Sequence, residues 1–218
     1  MAVRVPNGSL WHIASGYGSV LTVSALTNAD PAVATSTAHG LSDGDIVEVT
    51  SGWSRLTNKI VRIDGSDTNS FQLEGIDTSN TSIYSVGGGT GSVREITGWT
   101  QLQQILGVST AGGEQQFLDY QFLEDDAQKR IPTFKSPITL TLNVGDDPTL
   151  AGYLLAEAAN DDRLVRALRC TLPSGALLFY NGFVSVNKTP SMNVNELMQV
   201  PITVALQAEP VRYSGPQT

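Results

Sequence analysis

The side chains best able to do chemistry are few here, and their spacing does not assemble them. The chain has two histidines and one cysteine in 218 residues. His12 lies in a polar, glycine-rich beginning, and His39 sits in Thr37-Ala38-His39-Gly40-Leu41, where it is expected to hydrogen-bond its own turn. No HxH, HExxH or Cys/His grouping joins them, so a zinc ligand set is missing. Cys170, between Arg169 and Thr171, has no CxxC partner and reads as a small core hydrophobe. Gly87-Gly88-Gly89-Thr90-Gly91-Ser92 lacks the lysine and following helix of a phosphate loop, so it reads as a flexible hairpin connection. Asp64-Gly65-Ser66-Asp67-Thr68-Asn69 hints at calcium, but an EF-hand would need glycine and glutamate where Asn69 and Gly75 stand. With no GxSxG elbow either, no catalysis, no metal and no cofactor is expected.

One charge cluster remains. Glu124-Asp125-Asp126 is followed by Lys129-Arg130, with Pro132 and Pro137 breaking regular structure between two strands. A solvated loop accounts for it. The functional alternative is a projecting loop whose opposite charges meet those of a neighbouring copy, giving salt-sensitive register more than affinity. Arg163, Arg166 and Arg169 cannot all share one strand face at their spacing.

The elements that must hold these residues are β-rich. Val, Thr and Ile number 19, 21 and 11, and Gly plus Pro add 31, a mixture that stiffens strands and punctuates turns. The formal charge is −8, with 21 acidic against 13 basic residues, which argues against a sequence-reading nucleic-acid binder. No run approaches the ~20 apolar residues of a membrane span, and no signal peptide is apparent. A soluble product of a reducing cytoplasm is expected.

Three segments follow. Residues 1–19 read as an arm, ordered only when something binds it. Residues 20–98 read as a small β module of five or six strands, with runs at Val20–Ala25, Ala32–Thr35, Asp45–Thr50, Lys59–Ile63, Phe71–Glu74 and Ser92–Ile96. In 99–218, Leu102, Ile105 and Leu106 predict a short helix over about 99–106. A second helix is predicted over about 148–159, capped by Asp147, with a Leu150/Leu154/Ala158 face on a sheet. Strands are predicted at Gln115–Glu124, Ile138–Val144, Leu164–Leu172, Ala176–Asn187 and Asn195–Gln207, with Asn181-Gly182 a bulge inside one of them.

Several short motifs jointly carry a resemblance. Residues 110–136 (from Thr110-Ala111-Gly112-Gly113-Glu114 to Arg130-Ile131-Pro132-Thr133), Asp146-Asp147-Pro148, Asn160-Asp161-Asp162-Arg163, Leu178–Gly182, Val184-Ser185, Asn195-Glu196 and Pro6-Asn7-Gly8-Ser9 resemble the major tail tube protein of long, non-contractile-tailed (siphovirus-type) bacteriophages. Within 20–98, Thr37–Leu41, Gly44-Asp45, Leu56-Thr57-Asn58 and Phe71-Gln72-Leu73 are similar to the small β module related to the four-catalytic-cysteine-half-domain fold of ubiquitin-activating enzymes, without its cysteine.

The resemblance implies a mainly β fold, a sandwich or half-barrel flanked by one helix. It implies six copies in a ring and rings stacked into a hollow tail tube in the virion, assembled in the host cytoplasm. Its partners would be further copies of itself, a tape measure protein inside, and terminator and distal tail proteins at the ends. Double-stranded DNA would pass without specific binding, and part of the −8 charge is expected to face it. Subunit contacts are then expected from Glu124, Asp125, Asp126, Lys129, Arg130, Arg163, Arg166 and Arg169, and from the arm through Pro6, Asn7 and Trp11. The competing class is an adhesion or glycan-binding β protein, for which 20–98 offers only Trp53, Phe71 and Tyr84.

Overall fold

The computed structural model describes residues 5–215. It is mainly β, with several antiparallel sheets and one helix. The first strand, β1 (Leu10–Gly16), leads into seven that pair among themselves: β2 (Val20–Val23), β3 (Ala25–Leu26), β4 (Ala32–Thr35), β5 (Ile46–Ser51), β6 (Ile60–Asp64), β7 (Ser70–Leu73) and β8 (Gly91–Glu95), in the order β2-β8-β5-β6-β7-β4-β3. The chain returns as β9 (Gly98–Leu102), with Gly16 opposite Gly98, so the seven-stranded unit interrupts a β1–β9 hairpin.

The remaining elements are β10 (Ile105–Ala111), β11 (Gln115–Tyr120), β12 (Lys129–Lys135), β13 (Thr139–Gly145), α1 (Ala151–Asp162), β14 (Val165–Thr171), β15 (Leu177–Val186), β16 (Gln199–Leu206) and β17 (Val211–Tyr213). They build the main sheet, β10-β13-β16-β15-β14-β1-β9, with β17 extending the pairing of β15. Six strand spacings would make a flat sheet about 29 Å wide. Yet its two edge strands, β9 and β10, are joined by Gln103-Gln104 alone, a link spanning at most about 11 Å. The sheet must therefore curl. Inside the curl lie Leu140, Leu142, Val144, Val184, Val200, Ile202 and Val204, with Trp11, Ile13 and Leu168, closed by Tyr153, Ala156 and Ala159 of α1.

The other face of the sheet is divided. Over β1, β14 and the first half of β15, the seven-stranded unit packs on it, and Ala14, Ala167, Phe179 and Tyr213 share a core with Val47, Ile63 and Phe71. Polar contacts cross the same seam. The Tyr213 hydroxyl accepts from Arg62 N (2.9 Å) and donates to Glu74 O (3.1 Å). Asn181 Nδ2 donates to Glu48 Oε1 (2.8 Å) and Asn58 O (3.0 Å). Arg62, almost fully buried, is held by Glu74 (Nη2 to Oε1, 2.6 Å) and lies 4.5 Å from the Tyr213 ring centre. Pairing makes such burial tolerable, since an isolated buried charge costs several kcal/mol.

Several sequence expectations need correcting. The arm 1–19 is a central strand from Leu10 onward, between β14 and β9, because Trp11 and Ile13 alternate into the core; residues 1–4 lie outside the described residues. The helix expected at 99–106 is two strands: a tight corner with Gln104 at φ 58 brings Leu102 and Ile105 to one core at a spacing that mimics a helical one. Helix α1 begins at Ala151, and Asp147 accepts from Thr149 N (3.1 Å) in the turn before it instead of capping it. Its buried face is Gly152, Tyr153, Ala156 and Ala159, while Leu154 and Ala158 are exposed, because small residues let the helix approach β9. A Cβ on Gly152 would lie 2.3 Å from Gln101 O. Asn181-Gly182 forms no bulge: the β14 register runs through it unbroken, and the β16 register starts from Gly182 without a shift.

Candidate functional site

The residues expected to form a charged loop belong instead to a free-standing hairpin. At Ala111 and Thr139 the β10–β13 ladder ends, and the chain bends at Gly112 and Gly113, with φ of 82° and 81°. Side chains are disfavoured at such angles, and a Cβ on Gly112 would lie 1.9 Å from Pro137 O. Beyond the bend β11 and β12 pair only with each other. Pro132 does not prevent the strand, since it lies in a two-stranded ribbon where an absent donor is tolerated.

Neither face of this ribbon is covered. One carries Phe117, Pro132 and Phe134, the other Leu118, Tyr120 and Ile131, and all but Tyr120 are exposed, Phe134 to 69%. At the tip Phe122 stands edge-on to Tyr120 (5.3 Å) and Leu123 is fully exposed. An isolated two-stranded hairpin is marginally stable in water, and a contiguous apolar patch of this kind marks an interaction surface.

The charges of the cluster are partly satisfied within the hairpin. Lys129 Nζ pairs with Asp125 (2.7 Å) and Arg130 Nε with Asp119 (2.6 Å). Glu124 and Asp126 are exposed and have no ion pair among the described residues. The arginines do not converge. Arg163 terminates α1 in a left-handed conformation, and Arg166 pairs with Asp162. Arg169 lies on the opposite face of β14, its guanidinium 4.8 Å from the Trp99 ring centre and directly across from His12. Burial lowers the His12 pKa, and the Arg169 charge adds to this. Pro6 and Asn7 are exposed in a turn closed by Ser9 N to Pro6 O (3.0 Å), whereas Trp11 is buried and stacked on Tyr180 (5.5 Å).

A second surface was not anticipated. Where the seven-stranded unit ends, the outer face of β10, β13, β16 and the far half of β15 lies open. Ser109, Thr141, Thr203 and Ser185 form one row across these four strands. Ala111, Thr139, Ala205 and Phe183 form the next, and Gly107, Asn143 and Pro201 a third. No charged side chain stands in these rows. The alternation Thr139/Thr141/Asn143 was visible in the sequence, but the alignment of four such strands required the register.

Among the described residues no group of three His, Cys, Asp or Glu could hold a metal ion. His39 Nδ1 accepts from Leu41 N (3.0 Å), as its turn position suggested. Gly89 lies against the Trp53 ring, and Trp53 Nε1 donates to Ser85 O (2.9 Å), so the glycine run packs on an indole. No helix among the described residues is long and apolar enough to cross a membrane.

Comparison with protein families matches residues 51–215 to a family described as phage tail tube protein. The matched region begins at the end of β5, inside the seven-stranded unit, and runs through β17. No curated protein matches the chain.

Proposed function

We propose, since the chain belongs to the phage tail tube protein family and is thus a structural component of the virion tail, that six copies close into a ring and rings stack into the hollow tube through which DNA leaves the particle. The free-standing β11–β12 hairpin carries this reading. An apolar ribbon without a core of its own is explicable as an arm that packs on a neighbouring copy. A head-to-tail contact whose rotation closes generates a ring, and rings stacked on one another make a tube.

The open, charge-free face of β10-β13-β16-β15 is the natural wall of the lumen. This replaces the acidic wall suggested by composition. A conduit must avoid phosphate contacts, because each cation engaged adds salt-dependent affinity and slows passage. The row of four hydroxyls, Ser109, Thr141, Thr203 and Ser185, holds a water layer without holding the DNA backbone. Helix α1, on the other side of the sheet, then faces outward. A tape measure protein would occupy the lumen before DNA does, and terminator and distal tail proteins would close the ends.

Negative-stain microscopy of the purified chain tests the reading. Hollow tubes or six-membered rings are expected at high protein concentration. A chain that stays monomeric at every concentration overturns it.

A further inference from the structure

A cleft of about 650 Å³ lies between the seven-stranded unit and the root of the β11–β12 hairpin, a size typical of anchor pockets. Its walls combine two chemistries. Tyr84 and Phe134 supply aromatic surface, and Arg55, Lys59 and Lys135 supply three cations against one carboxylate, Glu209. Glu209 is paired with Lys135. Arg55 and Lys59 have no ion-pair partner among the described residues. Burial lowers the pKa of the Lys59 ammonium; Glu209 resists this, and Arg55 and Lys135 add to it. A chain of net charge −8 has therefore gathered uncompensated positive charge in a partly enclosed recess.

We infer that this cleft receives the hairpin tip Phe122-Leu123-Glu124-Asp125-Asp126 of a neighbouring copy in the same ring, an assignment that rests on the tube reading above. The tip offers what the cleft lacks, in the same order of chemistry. Phe122 and Leu123 are exposed apolar groups for the Tyr84/Phe134 wall, and Glu124 and Asp126 are unpaired carboxylates for Arg55 and Lys59. Exposed Phe117, Leu118, Phe122, Leu123 and Ile131 together present on the order of 600 Å², most of the ~800 Å² each partner contributes to a stable interface.

A copy cannot fill its own cleft this way. The cleft is lined by Gln115, Thr133 and Lys135 at the root of the hairpin, and six-residue strands place the tip about 20 Å beyond it. Hairpin and cleft both lie at the Ala111/Thr139/Ala205 end of the main sheet. Rotation about a ring axis keeps every copy's cleft at one height, so a hairpin that leaves its Gly112-Gly113 bend running around the ring brings its tip to the next copy's cleft. The contact is thus lateral, and its carboxylate–cation part is sensitive to salt.

Charge reversal of the full chain tests it. Arg55→Glu with Lys59→Glu, and separately Glu124→Lys with Asp126→Lys, should each reduce sedimentable assemblies at least tenfold while leaving the melting temperature of the monomer unchanged. All four substitutions together should restore most of the assembly. In a second measurement, Arg55→Cys with Asp126→Cys should give interchain disulfide ladders under oxidation. The inference is overturned by normal assembly of the Arg55/Lys59 variant, by a combined variant no better than either pair, or by the absence of ladders from assembled tubes. Wild-type chain that forms tubes with any of these results removes the contact alone. Wild-type chain that never assembles removes the tube reading as well.

Discussion

Cys170 illustrates how a residue can be chemically capable and still silent. It lies on β14 beside Leu168 in the curled core, and burial pushes its thiol up to about 11. Burial likewise pushes Tyr180 and Tyr213 up to about 12. In an unfolded chain these groups release protons near ~8.5 and ~10. Between those values and the folded ones the unfolded state binds fewer protons, so raising the pH favours unfolding. Lys59, with its lowered pKa, acts in the opposite sense, but Tyr17 and Tyr153, also raised by burial, act with the other three. Stability should be level from about pH 7 to 8 and fall from about pH 9 to 12, as read from urea midpoints. A midpoint that rises across the alkaline range contradicts the assignment. The inertness of Cys170 was legible because its Leu-rich surroundings mark a core strand. The Arg62–Glu74 pair was not, since the two residues are twelve apart and only the β6 and β7 neighbourhood brings them together.

The seven-stranded unit was the most legible set of elements, because most of its strands are short apolar runs separated by turns rich in Gly, Asn and Asp such as Gly40–Gly44 and Asp64–Asn69. The corner at Gln103-Gln104 was not, since two strands meeting in one core can reproduce the three-and-four spacing of a helix. For β12, Lys129-Arg130 and Pro132 hid the strand, because an exposed ribbon has no apolar alternation to reveal it. The bend that launches this ribbon is the testable part. Gly112→Ala puts a methyl group into the Pro137 carbonyl and onto a left-handed backbone angle, so the backbone at the bend must shift. The main sheet ends before this point, so the monomer should keep its far-UV spectrum and lose no more than about 1–3 kcal/mol. Assembly, which depends on where the hairpin aims, should fall at least tenfold in sedimentation. Unimpaired polymerisation by a folded Gly112→Ala chain would show that the hairpin's direction is irrelevant.

At the scale of the whole molecule, the accessible surface is 12219 Å², roughly a quarter above the ~9,700 Å² expected for a compact monomer of this mass. The free-standing β11–β12 hairpin, exposed on both faces, contributes to that excess. The seven-stranded unit bears on this balance in a way the sequence concealed. Residues 20–98 look detachable, because the chain leaves β1 and re-enters β9 at adjacent points, Gly16 and Gly98. Yet Phe179, Ala167 and Tyr213 of the main sheet are buried against that unit, and Tyr213 exchanges hydrogen bonds with the backbone of Arg62 and Glu74. Joining residue 19 to residue 99 would expose this aromatic face and strand its polar groups, at a cost exceeding the few kcal/mol by which a domain is stable. The shortened chain should therefore be insoluble or lack a cooperative melt, and the full chain should unfold in a single transition followed equally by tryptophan fluorescence and far-UV circular dichroism. A soluble, cooperatively folding chain without 20–98 that still forms tubes would make the unit a decoration. Its failure to fold would make the unit an integral part of the subunit, covering the half of the sheet face that continues as the open rows of β10, β13 and β16.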